Sequence, residues 1–295
     1  MFALLLVVAD RTLGHVFRYM QYHSKGGDTK RMMMIADSIT DDIIIMGSSR
    51  AIHHYDPRIL EDSLGLSCYN CGRDGNGILF SYGQYRLFRD RHTPRLLICD
   101  VHFPFDIADN RDNDKYLGWL RYFYDRDGID SLFIAVDPSE KWKMMSLMRR
   151  YNEKFIQIAS DMVHPLQGDI KGYRPLEGMI DYKLGDEEKE AKKKTFKYDS
   201  LKMIYWRRLI RDCKARGTQV VLAVSPIYDS GDEENFSMIR NLAEQENVPF
   251  LYHYADSAFV QNRKYFKDRV HLNRQGAERY TRELAAEIRN SFIKL

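Results

Sequence analysis

An α/β fold with an open, mostly parallel sheet covered by helices on both faces is the class this sequence predicts. Three observations lead there. Short apolar runs rich in branched residues recur along the chain, each closed by a Gly or a polar turn. Amphipathic stretches of helical period separate them. Five such runs are found, and strands alternating with helices build a parallel sheet whose ligands sit at the carboxyl ends of the strands.

In chain order, Asp42-Ile-Ile-Ile-Met46 is the first buried strand, ending at Gly47. Pro57 to Leu64 is a short helix with Asp56 as N-cap and Gly65 as its stop. Leu66 to Asn70 is the second strand, Gly77 to Arg91 a helix, and Arg95 to Val101 the third strand. From about 107 to 198 the alternation breaks, and a helical insertion is expected, with helices around Lys115–Tyr124 and Pro138–Tyr151. Its aromatics Trp119, Tyr122, Phe123, Tyr124 and Trp142 suit either stacking on sugar rings or a small core of the insertion's own. The charge run from Gly185 to Lys194 reads as a solvated face. The alternation then resumes: helix Ser200–Arg216, strand Gln219–Ser225, helix Glu233–Asn247 and strand Val248–Tyr252. Asn273 caps a last helix with Ala277, Tyr280, Leu284, Ile288 and Phe292 on one stripe.

Hydrophobic residues make up 44% and charged residues 29% of 295, which suits one globular body with an insertion. A net charge of +3 gives no case for a nucleic-acid partner. Of the four cysteines only Cys68 and Cys71 are close in sequence. A redox pair or half a zinc site fits that spacing, but no second Cys/His pair follows, and ordinary thiols are the expectation. Residues 1–30 stand apart from a domain spanning 31–295. Phe2 to Ala9 is an apolar run too short to cross a bilayer and lacks the basic start of a signal peptide. It reads as the tail of a truncated membrane anchor or as an amphipathic helix, with Ser24–Thr29 as a flexible linker.

Three local patterns carry chemistry. Gly47-Ser48-Ser49-Arg50 leaves the first strand for a helix, which places a Ser at the carboxyl edge of the sheet; a tight turn or a phosphate cradle is the plainer reading. Asp268-Arg-Val-His271 precedes the last helix. A Ser hydroxyl needs a base, and a His base needs an acceptor on its other nitrogen, so one loop can supply both. Asn70-Cys-Gly-Arg-Asp-Gly75-Asn76-Gly77 leaves the second strand with three glycines in six residues, either for close backbone approach or as a simple connection. The adjacent His53 and His54 read as surface or supporting residues, because neighbours in sequence rarely face one ligand. Arg50 suits either an anionic substrate group or a structural ion pair.

Together these pieces resemble the SGNH (GDSL-like) hydrolase superfamily, from about Asp41 to Phe292. Ser49 matches the family's nucleophile, with Ser48 in place of the usual Asp; Gly75 matches the glycine that donates a backbone N–H to the oxyanion; Asp268 and His271 match the most specific block. The resemblance implies a flavodoxin-like three-layer α/β/α sandwich. The usual Gly-x-Asn-Asp after the third strand is replaced by Asp100-Val-His102-Phe-Pro104, so His102 or Asn76 stands in for the missing oxyanion donor, or the hole has only two donors. One lost donor typically costs about 10²–10³ in rate. The Gly-Ser-Ser-Arg form with an apolar N-terminus is similar to envelope-associated branches acting on acylated polysaccharide. The resemblance therefore implies a serine esterase that removes a small acyl group, acetyl above all, from a carbohydrate, with no metal or organic cofactor. It also implies a periplasmic or extracytoplasmic setting and a membrane tether through the N-terminus. The same residues serve two alternatives, an O-acyltransferase to a sugar hydroxyl and a carbohydrate-binding protein with a degenerate site.

Overall fold

The computed structural model describes residues 1–111, 113–165, 169–181, 197–229 and 233–291. The chain forms two compact units. One comprises residues 1–40, 82–92 and 112–169; the other comprises 41–81, 93–111 and 170–295.

The second unit holds the sheet: β1 Ile43–Met46, β2 Cys68–Asn70, β3 Leu96–Asp100, β4 Gln219–Val224 and β5 Phe250–Tyr252. The order is β2-β1-β3-β4-β5 and every pairing is parallel. β1 and β3 are buried along their whole length, which explains why their sequences are unbroken apolar runs rather than alternating ones. On one face Ile43, Ile45, Leu96, Ile98, Val221 and Ala223 share a core with Ala277, Leu284 and Ile288 of the last helix, Arg274–Ser291. The helix Ser200–Ala215 lies against β4 and starts at Asp199, whose carboxylate accepts the N–H of Leu201. The α/β class with a five-stranded parallel sheet is therefore as the sequence predicts. After β1 the chain moves to one side for β2 and returns past β1 for β3. In folds with such a reversal of strand order, ligands bind at the carboxyl ends of the two strands that flank it, here β1 and β3.

The first unit is helical. Helix Phe2–Tyr22 leaves Phe2 and Leu4 to Val8 exposed and buries Gly14 and Gln21. Among the described residues no helix is long and apolar enough to cross a membrane. The Asp10 carboxylate accepts the N–H groups of Leu147 and Met148 at 3.0 Å each. Ser24–Thr29 is not the flexible linker expected from its glycines. Helix Gly27–Asp37 starts there, the Asp161 carbonyl accepts Lys25 and Gly26 N–H, and the Asp161 carboxylate accepts Thr29 N–H. Gly27, at φ +62°, has Asp161 packed where a Cβ would stand. Between 107 and 198 the described residues form short helices, among them Ile129–Val136 and Phe155–Val163, and the 3₁₀ turns Gly118–Phe123 and Met148–Arg150. Trp119, Tyr122 and Phe123 are buried and Tyr122 stacks on Tyr151, so they serve as core; Trp142 is exposed. The charge run from Gly185 to Lys194 and Phe292 lie outside the described residues.

Candidate active site

β1 ends at Met46 and the chain turns sharply at Gly47. Its φ is +142°, and a Cβ there would stand 2.7 Å from the Asp100 carbonyl oxygen, so no other residue fits the turn unchanged. Helix Ser49–His54 starts two residues later, with Ser48 as its buried N-cap residue. Ser49 Oγ lies 2.8 Å from His271 Nε2. His271 Nδ1 lies 2.9 Å from Asp268 Oδ2 and 3.1 Å from Oδ1.

The directions of these bonds follow from chemistry. Burial works against ionisation of Asp268, but hydrogen bonds from His271 and the Val270 N–H outweigh it and hold the carboxyl down to about 2. An ionised carboxylate only accepts, so the His271 proton sits on Nδ1. That leaves the Nε2 lone pair facing the Ser49 hydroxyl, the arrangement a general base requires. Asp268 also builds its own loop: Oδ1 accepts the N–H groups of Val270 and His271 at 2.8 Å each. Asn273 then starts the last helix, its Oδ1 accepting Gly276 N–H at 3.0 Å. The three residues at 49, 268 and 271, read from separate ends of the sequence, thus meet in one hydrogen-bonded line.

The remaining expected site residues lie around this line. His102 follows β3, and its Nδ1 lies 2.9 Å from Ser48 Oγ. Burial, then the Arg50 and His271 charges, push its pKa well below the usual histidine range, so the ring is neutral. Its backbone N–H donates to Asp106 at 2.7 Å. Asp106 is fully buried, and burial lifts its carboxyl to about 7. Sequence reading passed over Asp106; the signal was a carboxylate four residues after His102 in an apolar turn. Gly75 has φ +66° in the exposed turn after β2. Asn76 Nδ2 donates to the Asp74 carbonyl at 2.8 Å, so this amide serves its own turn. The turn is tied to the Ser49 helix, because Arg73 N–H donates to the Gly47 carbonyl and His53 Nε2 lies 3.1 Å from Asp74 Oδ1.

Arg50 corrects an expectation. It is 0% exposed, and its guanidinium bonds Ser225 through Nε at 3.0 Å and Nη2 at 2.9 Å, 3.5 Å from the Asp100 carboxylate. No substrate group reaches it there, and the structural ion pair is the reading that holds. Asp100 in turn accepts from Tyr55 Oη at 2.6 Å and from Ser225 N–H at 3.1 Å. Cys68, Cys71, Cys99 and Cys213 are buried free thiols, and burial raises the pKa of Cys68 and Cys99.

No protein-family model matches the chain. No curated protein matches it. Among solved structures, a protein described as lipolytic, of the G-D-S-L family from Desulfitobacterium hafniense DCB-2, aligns at 11% identity and TM-score 0.39, covering 83% of this chain and 98% of its own. A protein described as a platelet activating factor from Streptococcus pneumonia aligns at 13% and 0.41, covering 98% of both chains. An acetyl xylan esterase aligns at 13% and 0.40, covering 85% of this chain and all of its own. With identities of 11–13% and TM-scores near 0.4, the chemistry of the site rests on its own distances.

Proposed function

We propose that this chain is a serine hydrolase acting on ester bonds, with Ser49 as nucleophile, His271 as general base and acid, and Asp268 as the group that orients His271. One observation carries the reading: the unbroken line from Ser49 Oγ through His271 to the ionised Asp268, with links of 2.8 and 2.9 Å. Ser49 Oγ bonds to the ester carbonyl carbon while His271 Nε2 takes its proton. The Ser49 and Gly75 backbone N–H groups hold the oxyanion, and His102, whose Nδ1 lies 2.9 Å from Ser48 Oγ, stands in for the family's Asn. The ester C–O bond breaks, His271 returns the proton to the leaving alcohol, and water repeats the sequence on the acyl-serine to release the acid.

The proposed substrate is a small acyl ester on a carbohydrate, following the resemblance set out above. A degenerate binding site has no need of an intact proton relay, so the geometry favours catalysis. Transfer to a sugar hydroxyl uses the same residues and differs only in the acceptor. In this reading the protein sits at an envelope surface through helix Phe2–Tyr22, a setting that the exposed Phe2 and Leu4 to Val8 support. The test is incubation with a fluorophosphonate probe and with p-nitrophenyl acetate. The expected result is a probe adduct on the Ser49 peptide and acetate release without a sugar acceptor, both lost in Ser49→Ala. No adduct and no turnover in the unaltered chain would overturn the reading; turnover only with an added sugar would assign the transferase.

A further inference from the structure

Helix Ser49–His54 ends in a histidine that the relay does not use. His54 is 0% exposed and lies five residues after the nucleophile. Its Nε2 accepts the N–H of Leu272 at 2.9 Å, and its Nδ1 lies 2.8 Å from Ser225 Oγ. Because a backbone N–H only donates, Nε2 carries the lone pair and the proton sits on Nδ1, which donates to Ser225. A neutral ring is the only form that fills both bonds. Burial, then the charge of Arg50, lowers its pKa well below the usual range, in keeping with that form. Leu272 is the residue after His271. The loop 268–272 is tied at several points: the Arg269 carbonyl accepts Tyr228 N–H at 3.0 Å, the Arg269 guanidinium lies 3.0 Å from Asp229, the His271 carbonyl accepts Lys267 N–H at 2.9 Å, and Leu272 N–H is held by His54, the one of these groups that lies on the nucleophile's own helix.

We infer that His54 is a positioning residue for the proposed hydrolysis: by holding Leu272 N–H it sets the distance between His271 and Ser49, which belongs to His54's own helix. Two links then join helix and loop side by side, Ser49 to His271 at 2.8 Å and His54 to Leu272 at 2.9 Å. Only the first takes part in chemistry. The second keeps the ring in place when Ser49 Oγ leaves to bond substrate, the moment at which the first link is broken. This role rests on the hydrolase reading.

The test compares His54→Gln with His54→Asn. Both are amides, but only Gln is long enough to put an acceptor oxygen where Nε2 stands; Asn reaches the Nδ1 position. Melting temperature, the second-order labelling rate of Ser49 by a fluorophosphonate, and kcat and KM for p-nitrophenyl acetate are read for each. A shift of about 1 Å in a catalytic group costs on the order of 10²-fold. The expected result is a fall of that order in kcat and labelling rate for Asn at unchanged KM, with Gln restoring most of it. Folded His54→Asn that labels like the unaltered chain would overturn the role. So would equal losses in Asn and Gln that track their melting temperatures, since packing alone would then explain them. Failure of the unaltered chain to label at all sinks the hydrolase reading instead, so the two failures are distinct.

Discussion

Replacing Asp268 with Asn probes the relay at the member farthest from the nucleophile. The Asp268 carboxylate has two tasks. Oδ1 accepts two backbone N–H groups at 2.8 Å, and Oδ2 faces His271 Nδ1 at 2.9 Å. Asn has one acceptor oxygen, and the two backbone donors claim it. The amide nitrogen is then left facing His271 Nδ1, and an amide N–H there selects the tautomer with its proton on Nε2. That tautomer cannot accept the Ser49 proton. In a Ser-His-Asp triad the same exchange lowers kcat by roughly 10⁴, about 5 kcal/mol of barrier. The loop should survive, because its two backbone bonds are kept. Asp268→Ala should lose less activity than Asn, because it removes the acceptor without adding a competing donor. Turnover of p-nitrophenyl acetate, with far-ultraviolet circular dichroism as the fold control, decides the matter. A folded Asn variant keeping more than about a tenth of the activity would refute the tautomer argument.

Five further outcomes are expected. His271→Ala should lose nearly as much activity as Ser49→Ala, and the double variant little more, because nucleophile and base act as a unit; Ser48→Ala should keep most activity, its Oγ being engaged with His102 rather than His271. Arg50→Leu should cost about 3–5 kcal/mol in denaturant unfolding, because it strands the fully buried Asp100 carboxylate; a loss under about 1 kcal/mol would contradict that. The Asp268 carboxyl is held near 2, below the ordinary 3.8, so its contribution to stability is present above pH 3.8 and lost as pH falls through 2. The stability gap between the unaltered chain and Asp268→Asn should therefore narrow over that window in acid denaturation curves, and a constant gap would speak against the shift. Leu5→Asp, at a 60% exposed position, should leave the melting temperature unchanged and reduce co-sedimentation with liposomes; equal sedimentation would count against the tether.

Much of the sheet was legible because its signals are local. Ile43–Met46 and Leu96–Asp100 are buried on both faces, and burial on both faces writes an apolar run that needs no partner to be seen. Asp268 and His271 were legible for the same reason, since a three-residue spacing lets one turn join them. The helix expected around Lys115–Tyr124 came as Asn113–Tyr116 and a 3₁₀ turn at Gly118–Phe123. There Gly118 falls mid-stretch and weakens a continuous helix. Ser24–Thr29 read as a linker because its partner, Asp161, lies 132 residues from Thr29.

The buried polar hub shows where sequence reading stops. Arg50 and His54 are four apart on one helix, so they project from the same face. Both bond Ser225, and Asp100 takes the Ser225 N–H. In sequence these residues look like separate polar positions at strand and helix ends, where exposure is the usual outcome. Register brings them together: Asp100 pairs with Ala223 across β3 and β4, which puts Ser225 just past the edge beside it. His53 and His54 then part ways for a simple reason. One residue of helix turns the side chain by about 100°, so His53 faces the Asp74 turn while His54 faces Ser225 and Leu272. Two neighbouring histidines thus tie two different loops to the helix that begins at Ser49, and neither needs to touch substrate to matter for it.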